Sequence, residues 1–358
     1  MSMYRFSDLL GNEKMTIVDA MSKIDNSGKG ILFITDENSI LKGCVTDGDI
    51  RRWLLKSGDL HAPITNAMMK SPKFLNKKER DRAEEVMNTY SIRALPIVEE
   101  DGKLIDVVFY KNCENVLEVT KNSDLMGVPV VIMAGGQGTR LYPYTKILPK
   151  PLIPVGETPI VERIINEYCK YGINCFYMTV NYKKNMIRSY FSDINSSYTI
   201  RYVEEEVPLG TGGSIRLIDE RFSEPLFVTN CDALILADYV DVYKYHKNSG
   251  NDITIVSALK NVVVPYGVLH MGEGGEIISM EEKPKVSHFI NTGMYIINPD
   301  TIDLIPADVM FHMPQLVERV MQEGGKVGMY PISEDSFLDM GEFSEMKRME
   351  EKLHIVSN

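Results

Sequence analysis

Three glycines, Gly135, Gly136 and Gly138, follow an apolar run that begins at Val130, and Thr139 and Arg140 come straight after them. Glycine has no Cβ, so a loop built from it turns tightly and brings backbone N–H groups against an anion. Arg140 adds a guanidinium that can grip phosphate oxygens as a fork. Ten residues on, Lys150 adds an ammonium, a compact point charge. Pro149 and Pro151 flank Lys150 and restrict where it points. A glycine turn with two separate cations suits a triphosphate whose leaving part and reacting phosphorus need separate neutralisation. Two other phosphate loops are excluded. A P-loop requires Gly-Lys-Ser/Thr, which does not occur, and the GxGxxG register from Gly136 and Gly138 arrives at Leu141.

The stretch Gly135-Gly136-Gln137-Gly138-Thr139-Arg140-Leu141-Tyr142-Pro143, with Thr145 and Pro149-Lys150-Pro151-Leu152 behind it, resembles the signature of hexose-1-phosphate nucleotidyltransferases. Further landmarks follow in that family's order over almost all of residues 128–350. Val207-Pro208-Leu209-Gly210-Thr211-Gly212-Gly213 is similar to the loop around the nucleoside. Thr229-Asn230-Cys231-Asp232 resembles the strand end whose aspartate holds magnesium, with Cys231 where glycine is usual. Tyr266-Gly267-Val268 and Glu281-Glu282-Lys283-Pro284 resemble the sugar-phosphate segment, and Asn291-Thr292-Gly293 follows. Leu338-Asp339-Met340-Gly341 resembles the second metal site, with Glu342-Phe343 where a threonine-proline pair is usual.

The resemblance implies roles. Mg²⁺ is held by Asp232 and Asp339, Arg140 holds the leaving pyrophosphate, Lys150 the α-phosphate and Lys283 the sugar phosphate. Gly135, Gly136, Gly138, Thr139, Gly210 and Thr211 surround the nucleotide; Gly267, Glu282 and Asn291 meet the sugar. The implied chemistry needs no serine, cysteine or histidine nucleophile, because a sugar-1-phosphate brings its own phosphate oxygen, mostly dianionic since its second pKa is about 6. Positioning and charge neutralisation then suffice. Each residue also has a plainer reading. Asp232 suits the start of a turn, Asp339 the cap of a helix opening near Glu342, and Glu282 with Lys283 a solvated pair. The 6 histidines show no ligand spacing and take no role.

From Pro129 onward, short apolar runs at Val130–Ala134, Cys175–Val180, Leu226–Thr229 and Ile253–Ala258 alternate with helical patterns around Pro159–Cys169, Asn185–Phe191, Gly213–Glu220 and Tyr239–Lys247. That alternation predicts an α/β fold, a Rossmann-like, mixed but mostly parallel sheet with helices on both faces, of the GT-A-like kind the resemblance implies. In such folds the ligand lies beyond the carboxyl ends of the strands. Ahead of it lies an internal repeat. Leu32-Phe33-Ile34-Thr35-Asp36-Glu37 and Leu95-Pro96-Ile97-Val98-Glu99-Glu100 align without a gap 63 residues apart, and Leu41 with Leu104, Val45 with Val108 and Leu54 with Leu117 share that offset.

The repeat resembles a pair of cystathionine-beta-synthase-type (CBS) domains, a tandem α/β Bateman module, which implies a regulatory nucleotide site. Gly43, Thr46 and Asp49 match the Gly-x-x-Thr/Ser-x-x-Asp phosphate-and-ribose motif. In the second copy Asp106, Phe109 and Asn112 stand at those positions, so one full-strength site for an adenine or guanine nucleotide is expected. The plainer reading is that Asp49 caps a helix and the pair is a dimerisation scaffold. The expected boundaries are 1–60 and 61–118 for the two copies, 119–127 for a polar linker, and 128–358 for the transferase domain.

Composition bounds the partners. A formal net charge of −11 argues against nucleic acid, whose binding needs a broad basic surface, but not against a small polyphosphate. No run approaches 18 apolar residues and the N-terminus has no secretory pattern, so neither a membrane span nor export is expected and the chain reads as cytoplasmic. The 5 cysteines, Cys44, Cys113, Cys169, Cys175 and Cys231, are scattered without CxxC spacing and suggest neither zinc nor a disulfide framework. A CBS pair ahead of this transferase pattern resembles the glucosamine-1-phosphate guanylyltransferases of legionaminic acid biosynthesis. The core motifs are also similar to mannose-1-phosphate guanylyltransferases. GTP and glucosamine-1-phosphate are therefore the expected substrates, and a homodimer or higher oligomer the expected assembly. A thymidylyl- or uridylyltransferase acting on glucose-1-phosphate, and a non-catalytic nucleotide-sugar sensor, remain as alternatives.

Overall fold

The structure, a computed structural model, describes residues 5–110, 123–194, 196–341 and 343–353. Asn112, Cys113, Leu117, residues 119–122 of the expected linker and Glu342 lie outside the described residues. The chain divides into two compact units. One holds Met1–Glu118 together with Leu259–Phe289 and Pro331–Asp335; the other holds Val119–Ala258, Ile290–Tyr330 and Ser336–Asn358.

In the first unit the repeat is visible in the backbone. Strand β1 (Ile31–Thr35) pairs antiparallel with β2 (Leu41–Thr46) and parallel with the short strand Leu10–Asn12. Strand β3 (Ala94–Val98) does the same with β4 (Leu104–Phe109) and Leu75–Asn76. Both hairpins slip register at equivalent points, between Ile34 and Thr35 and between Ile97 and Val98. Helix α1 (Ile17–Ser27) opens on a reciprocal cap of Thr16 and Asp19 and stops at Gly28, whose φ of 62° favours glycine. Helix α2 (Asp47–Ser57) repeats the device with Thr46, Asp49 and Gly58. Helix α3 (Ala83–Tyr90) of the second copy has no such side-chain cap.

Apolar faces of these elements form three clusters, one of them built on the first copy. Ile17, Ile24, Leu32, Val45, Ile50 and Leu54 cluster, and Leu259 and Phe289 pack into the same cluster. Polar contacts hold the same segments. Ser22 Oγ accepts from Lys285 Nζ at 2.8 Å, and Arg51 Nε donates to the Pro331 carbonyl at 3.1 Å. The unit containing the repeat thus takes in two stretches that the sequence reading assigned to 128–358, because long-range packing of this kind leaves no local signal.

The second unit is a mixed α/β fold. Strand β5 (Val130–Met133) is buried along its length, as a central parallel strand covered on both faces must be. It pairs parallel with β6 (Cys175–Val180) and with β8 (Leu226–Asn230), while β7 (Thr199–Glu204) pairs parallel with β6. Strands β9 (Ile253–Val263), β10 (Lys285–Ile297) and β11 (Val327–Ile332) complete the seven-stranded order β7-β6-β5-β8-β10-β9-β11. The β8–β10 pairing is antiparallel, which makes the sheet mixed. Helices α4 (Ile160–Cys169), α5 (Lys184–Ser192), α6 (Tyr239–Ser249) and α7 (Met313–Gln322) belong to the same unit. The fully buried Tyr168 ring meets Phe176 and Phe227 edge-on.

Two local expectations change. The helix expected over Gly213–Glu220 is one α turn, Gly210–Gly213, followed by a 3-10 turn, Ser214–Leu217. Gly212 and Gly213 donate instead to the Phe311 carbonyl, each at 2.9 Å, so a distant segment rather than helix propagation shapes this loop. The end of the linker is not free either: Leu125 is 1% exposed and donates to the Tyr171 carbonyl. Among the described residues no helix is long and apolar enough to cross a membrane.

Candidate active site

The glycine loop leaves β5 where the parallel strands end. Gly138 has φ 64°, and a Cβ there would lie 3.0 Å from Lys150 Cβ and from Thr145 Cγ2. Its carbonyl accepts from the fully buried Thr145 hydroxyl at 2.9 Å, which fixes the loop's exit. Gly135 is crowded differently: a Cβ there would collide with the Glu205 carboxylate. Gly136 has nothing within 4 Å of its missing Cβ. Packing explains the first two glycines and not the third, whose open side is what close approach of a ligand requires.

Lys150 opens a 3-10 turn, Lys150–Leu152, and its ammonium is paired with the Asp232 carboxylate, both side chains nearly buried. Asp232 sits just beyond β8. There the chain makes a short strand, Ala233–Ile235, that pairs antiparallel with β12 (Phe337–Asp339), Ala233 opposite Asp339. Met340 N–H donates to the Asp232 carbonyl at 2.9 Å, which anchors the second aspartate against the first. Burial pushes the Asp339 carboxyl above the usual carboxylate range. The Asp232 charge adds to this, and Lys150 and Arg140 oppose it. Asp232, Lys150 and Arg140 therefore all act on Asp339. Arg140 is exposed and has no hydrogen-bond partner among the described residues.

Arg140, Lys150 and Asp232 line a cleft of about 430 Å³, with Gly135, Gly136, Gly138 and Thr139 on one side and Gly210 and Thr211 on another. The Gly210–Thr211 wall is fastened to the start of α7. Phe311 N–H donates to the Leu209 carbonyl at 2.8 Å, and Met313 N–H to Thr211 Oγ1 at 3.0 Å. Cys231 also lines the cleft, but burial pushes its thiol up to about 12, so it offers no thiolate.

Two cleft residues escaped the sequence reading. Glu205 is 4% exposed and accepts from Leu209 N–H at 3.0 Å. Burial raises its pKa, and the bond from Leu209 N–H opposes the rise. It is the middle of Glu204-Glu205-Glu206, and no residue type in that run singles it out as the inward one. His312 bears no spacing signal at all; its Nδ1 accepts from Thr211 N–H at 3.3 Å.

The remaining expected residues lie elsewhere. Asn291 is held internally: its amide donates to Tyr295 Oη at 2.6 Å and accepts from Gly293 N–H at 2.9 Å. Gly267, Glu282 and Lys283 belong to the first unit, on a hairpin of Gly267–Met271 and Ile277–Glu282 in which Gly267 faces Glu282. Lys283 adopts φ 48° and donates to the Tyr266 carbonyl. In the repeat, Thr46 and Asp49 cap α2 reciprocally, with Thr46 Oγ1 donating to Asp49 Oδ2 at 2.7 Å, and Arg52 pairs with Asp49. Gly43 has a packing reason as well, since a Cβ there would lie 2.7 Å from the Met69 carbonyl.

A mixed α/β sheet with a glycine loop at its strand ends, and two cations and two neighbouring aspartates beside it, is an arrangement suited to nucleotide phosphates. The nucleotidyl transferase family profile matches residues 129–354, and the chain belongs to that family. It is similar to a mannose-1-phosphate guanyltransferase of Debaryomyces hansenii, 36% identical over 184 residues, covering 49% of this chain and 51% of that protein. A UTP–glucose-1-phosphate uridylyltransferase of Synechocystis is 32% identical over 212 residues, covering 52% of this chain and 55% of that one. The chain thus spans about half the length of the curated relatives it matches. Among solved structures, HddC from Yersinia pseudotuberculosis superposes with a TM-score of 0.50 at 25% identity, covering 63% of this chain and 99% of that one.

Proposed function

We propose that this protein joins a sugar-1-phosphate to a nucleoside triphosphate, giving a nucleotide-diphospho-sugar and pyrophosphate. The observation that carries the reading is the convergence of Arg140, Lys150, Asp232 and Asp339 beside the open face of Gly136. A phosphate oxygen of the sugar-1-phosphate bonds to the α-phosphorus, and the bond from that phosphorus to the pyrophosphate oxygen breaks. Arg140, exposed and without a side-chain partner among the described residues, takes the departing oxygens. Lys150, held in place by Asp232, sits where charge on the α-phosphate would build. The two carboxylates form the donor set Mg²⁺ prefers, hard oxygens that take one or two protein carboxylates plus substrate phosphates. Bound by Asp232 and Asp339, the ion would supply further neutralisation of the phosphates.

GTP is the preferred triphosphate. A buried carboxylate only accepts hydrogen bonds, and Glu205 matches the N1–H and N2–H edge of guanine better than a pyrimidine's single N–H between two carbonyls. The Debaryomyces relative, named for guanyl transfer, favours the same choice. Glucosamine-1-phosphate as acceptor, a purine nucleotide effector at Gly43, Thr46 and Asp49, and self-association through the N-terminal repeat rest on the CBS-pair resemblance. Sugar contacts for Gly267, Glu282, Lys283 and Asn291 rest on the transferase resemblance. Pyrophosphate release measured with four triphosphates against a panel of hexose-1-phosphates tests the whole reading. Release with one pair sustains it; binding without release from any pair would support a nucleotide-sugar sensor instead.

A further inference from the structure

We infer that His312 is a substrate-contacting residue of this cleft, donating a hydrogen bond from Nε2–H to an oxygen of a bound nucleotide or sugar phosphate. The inference rests on the transferase reading above and adds a residue that reading does not need. Three observations carry it.

The first is the tautomer. Nδ1 accepts from Thr211 N–H at 3.3 Å, and a ring nitrogen that accepts cannot carry the proton. The neutral ring therefore bears its proton on Nε2. The second is position. His312 is exposed, lines the cleft, and has no partner on Nε2 among the described residues. The third is the room made for it. Gly210 has φ 77°, and a Cβ there would lie 3.0 Å from both Cε1 and Nδ1 of the imidazole. Any side chain at that position would displace the ring.

The surrounding backbone turns this into a fixed presentation. Phe311 and Met313, on either side of His312, are both tied to the Leu209–Gly213 loop, and His312 N–H donates to Gln315 Oε1 at 2.7 Å at the start of α7. The ring can neither swing away from Thr211 without losing a bond nor approach the loop more closely. It is a rigid donor aimed away from the wall that holds it, as specific recognition of an acceptor requires.

Two variants separate the donor from the anchor. In H312N the amide oxygen takes the place of Nδ1, keeps the bond from Thr211 N–H and suits a helix N-cap, but no donor remains at the Nε2 position. In H312Q the amide nitrogen takes the Nε2 position and the tie to Thr211 is lost. Binding of GTP and of glucosamine-1-phosphate is measured separately by calorimetry on the full-length protein, so the result does not depend on turnover. H312N is expected to weaken one of the two ligands by about fivefold or more, with H312Q closer to wild type for that ligand. Which ligand weakens tells whether the acceptor is on the nucleotide or on the sugar phosphate. Unchanged binding of both ligands to H312N, or equal losses in both variants, overturns the inference and leaves the transferase reading standing. No binding of either ligand to the wild-type protein overturns both.

Discussion

Asp339 stands close enough to Asp232 that the charge of one raises the proton affinity of the other, although the two are far apart in the chain. The antiparallel pairing of Ala233 with Asp339 and the bond from Met340 N–H to the Asp232 carbonyl hold them there. Two carboxylates pressed together in a partly buried place are unfavourable unless a cation joins them.

This gives a stability prediction of definite sign. A carboxyl whose pKa is raised in the folded state favours folding below its unfolded pKa, and that contribution is lost as pH rises through the folded value. Replacing Asp339 with Asn removes the penalty at neutral pH. D339N should melt at a higher temperature than wild type at pH 7, with the difference shrinking toward pH 4, and should release no pyrophosphate. Melting curves at several pH values check it; a lower melting temperature at pH 7 would contradict the assignment. Mg²⁺ should raise the melting temperature of wild type and not that of D339N.

Lys150 does two things, neutralising Asp232 now and an α-phosphate when substrate binds. K150M should cut turnover by about 10²–10³-fold. It should also destabilise the fold, because it strands a nearly buried carboxylate. The double variant K150M/D232N should recover the stability and none of the turnover. Thermal melts and pyrophosphate release on wild type and the two variants read the two effects apart.

Gly136 and Gly138 should respond differently to alanine. The left-handed backbone and close neighbours of Gly138 make G138A cost about 1 kcal/mol or more of stability. Gly136 faces open space, so G136A should melt like wild type while its methyl group obstructs the phosphates. A tenfold or greater rise in KM for the triphosphate, without a change in melting temperature, is the expected result.

Asp49 has an observed job as a cap and a proposed one as a ligand for a purine nucleotide. D49A should lose about 1 kcal/mol of stability through the cap alone. In D49S the Thr46 hydroxyl still caps α2 from the N-cap position, while the serine cannot accept two ribose hydroxyls. Calorimetry with ATP and GTP on both variants should show weaker binding in each; D49S binding as tightly as wild type would leave Asp49 with the capping role only.

What was legible in the sequence was local. The glycine loop, Arg140, Lys150 and the two aspartates each sit in a short stretch whose residue types are dictated by turn geometry or charge. The repeat was legible too, because two copies of one hairpin need the same apolar positions, down to the register slips after Ile34 and Ile97. Glu205 was hidden among three consecutive glutamates that differ only in which way a strand turns them. His312 was hidden because its meaning comes from a loop a hundred residues earlier. Strand β10 was missed as well: its polar first half, from Lys285, does not read as part of a buried sheet.

The packing of Leu259 and Phe289 among Ile17, Ile24 and Leu54 sets a limit on how this protein can be cut. A shortened protein starting at residue 119 would retain every group of the phosphate cleft, yet it would turn an aromatic ring and a leucine that now sit in a core out into water. Such a fragment should aggregate or need a detergent to stay dispersed, and the front portion expressed by itself would have a gap where those two side chains belong.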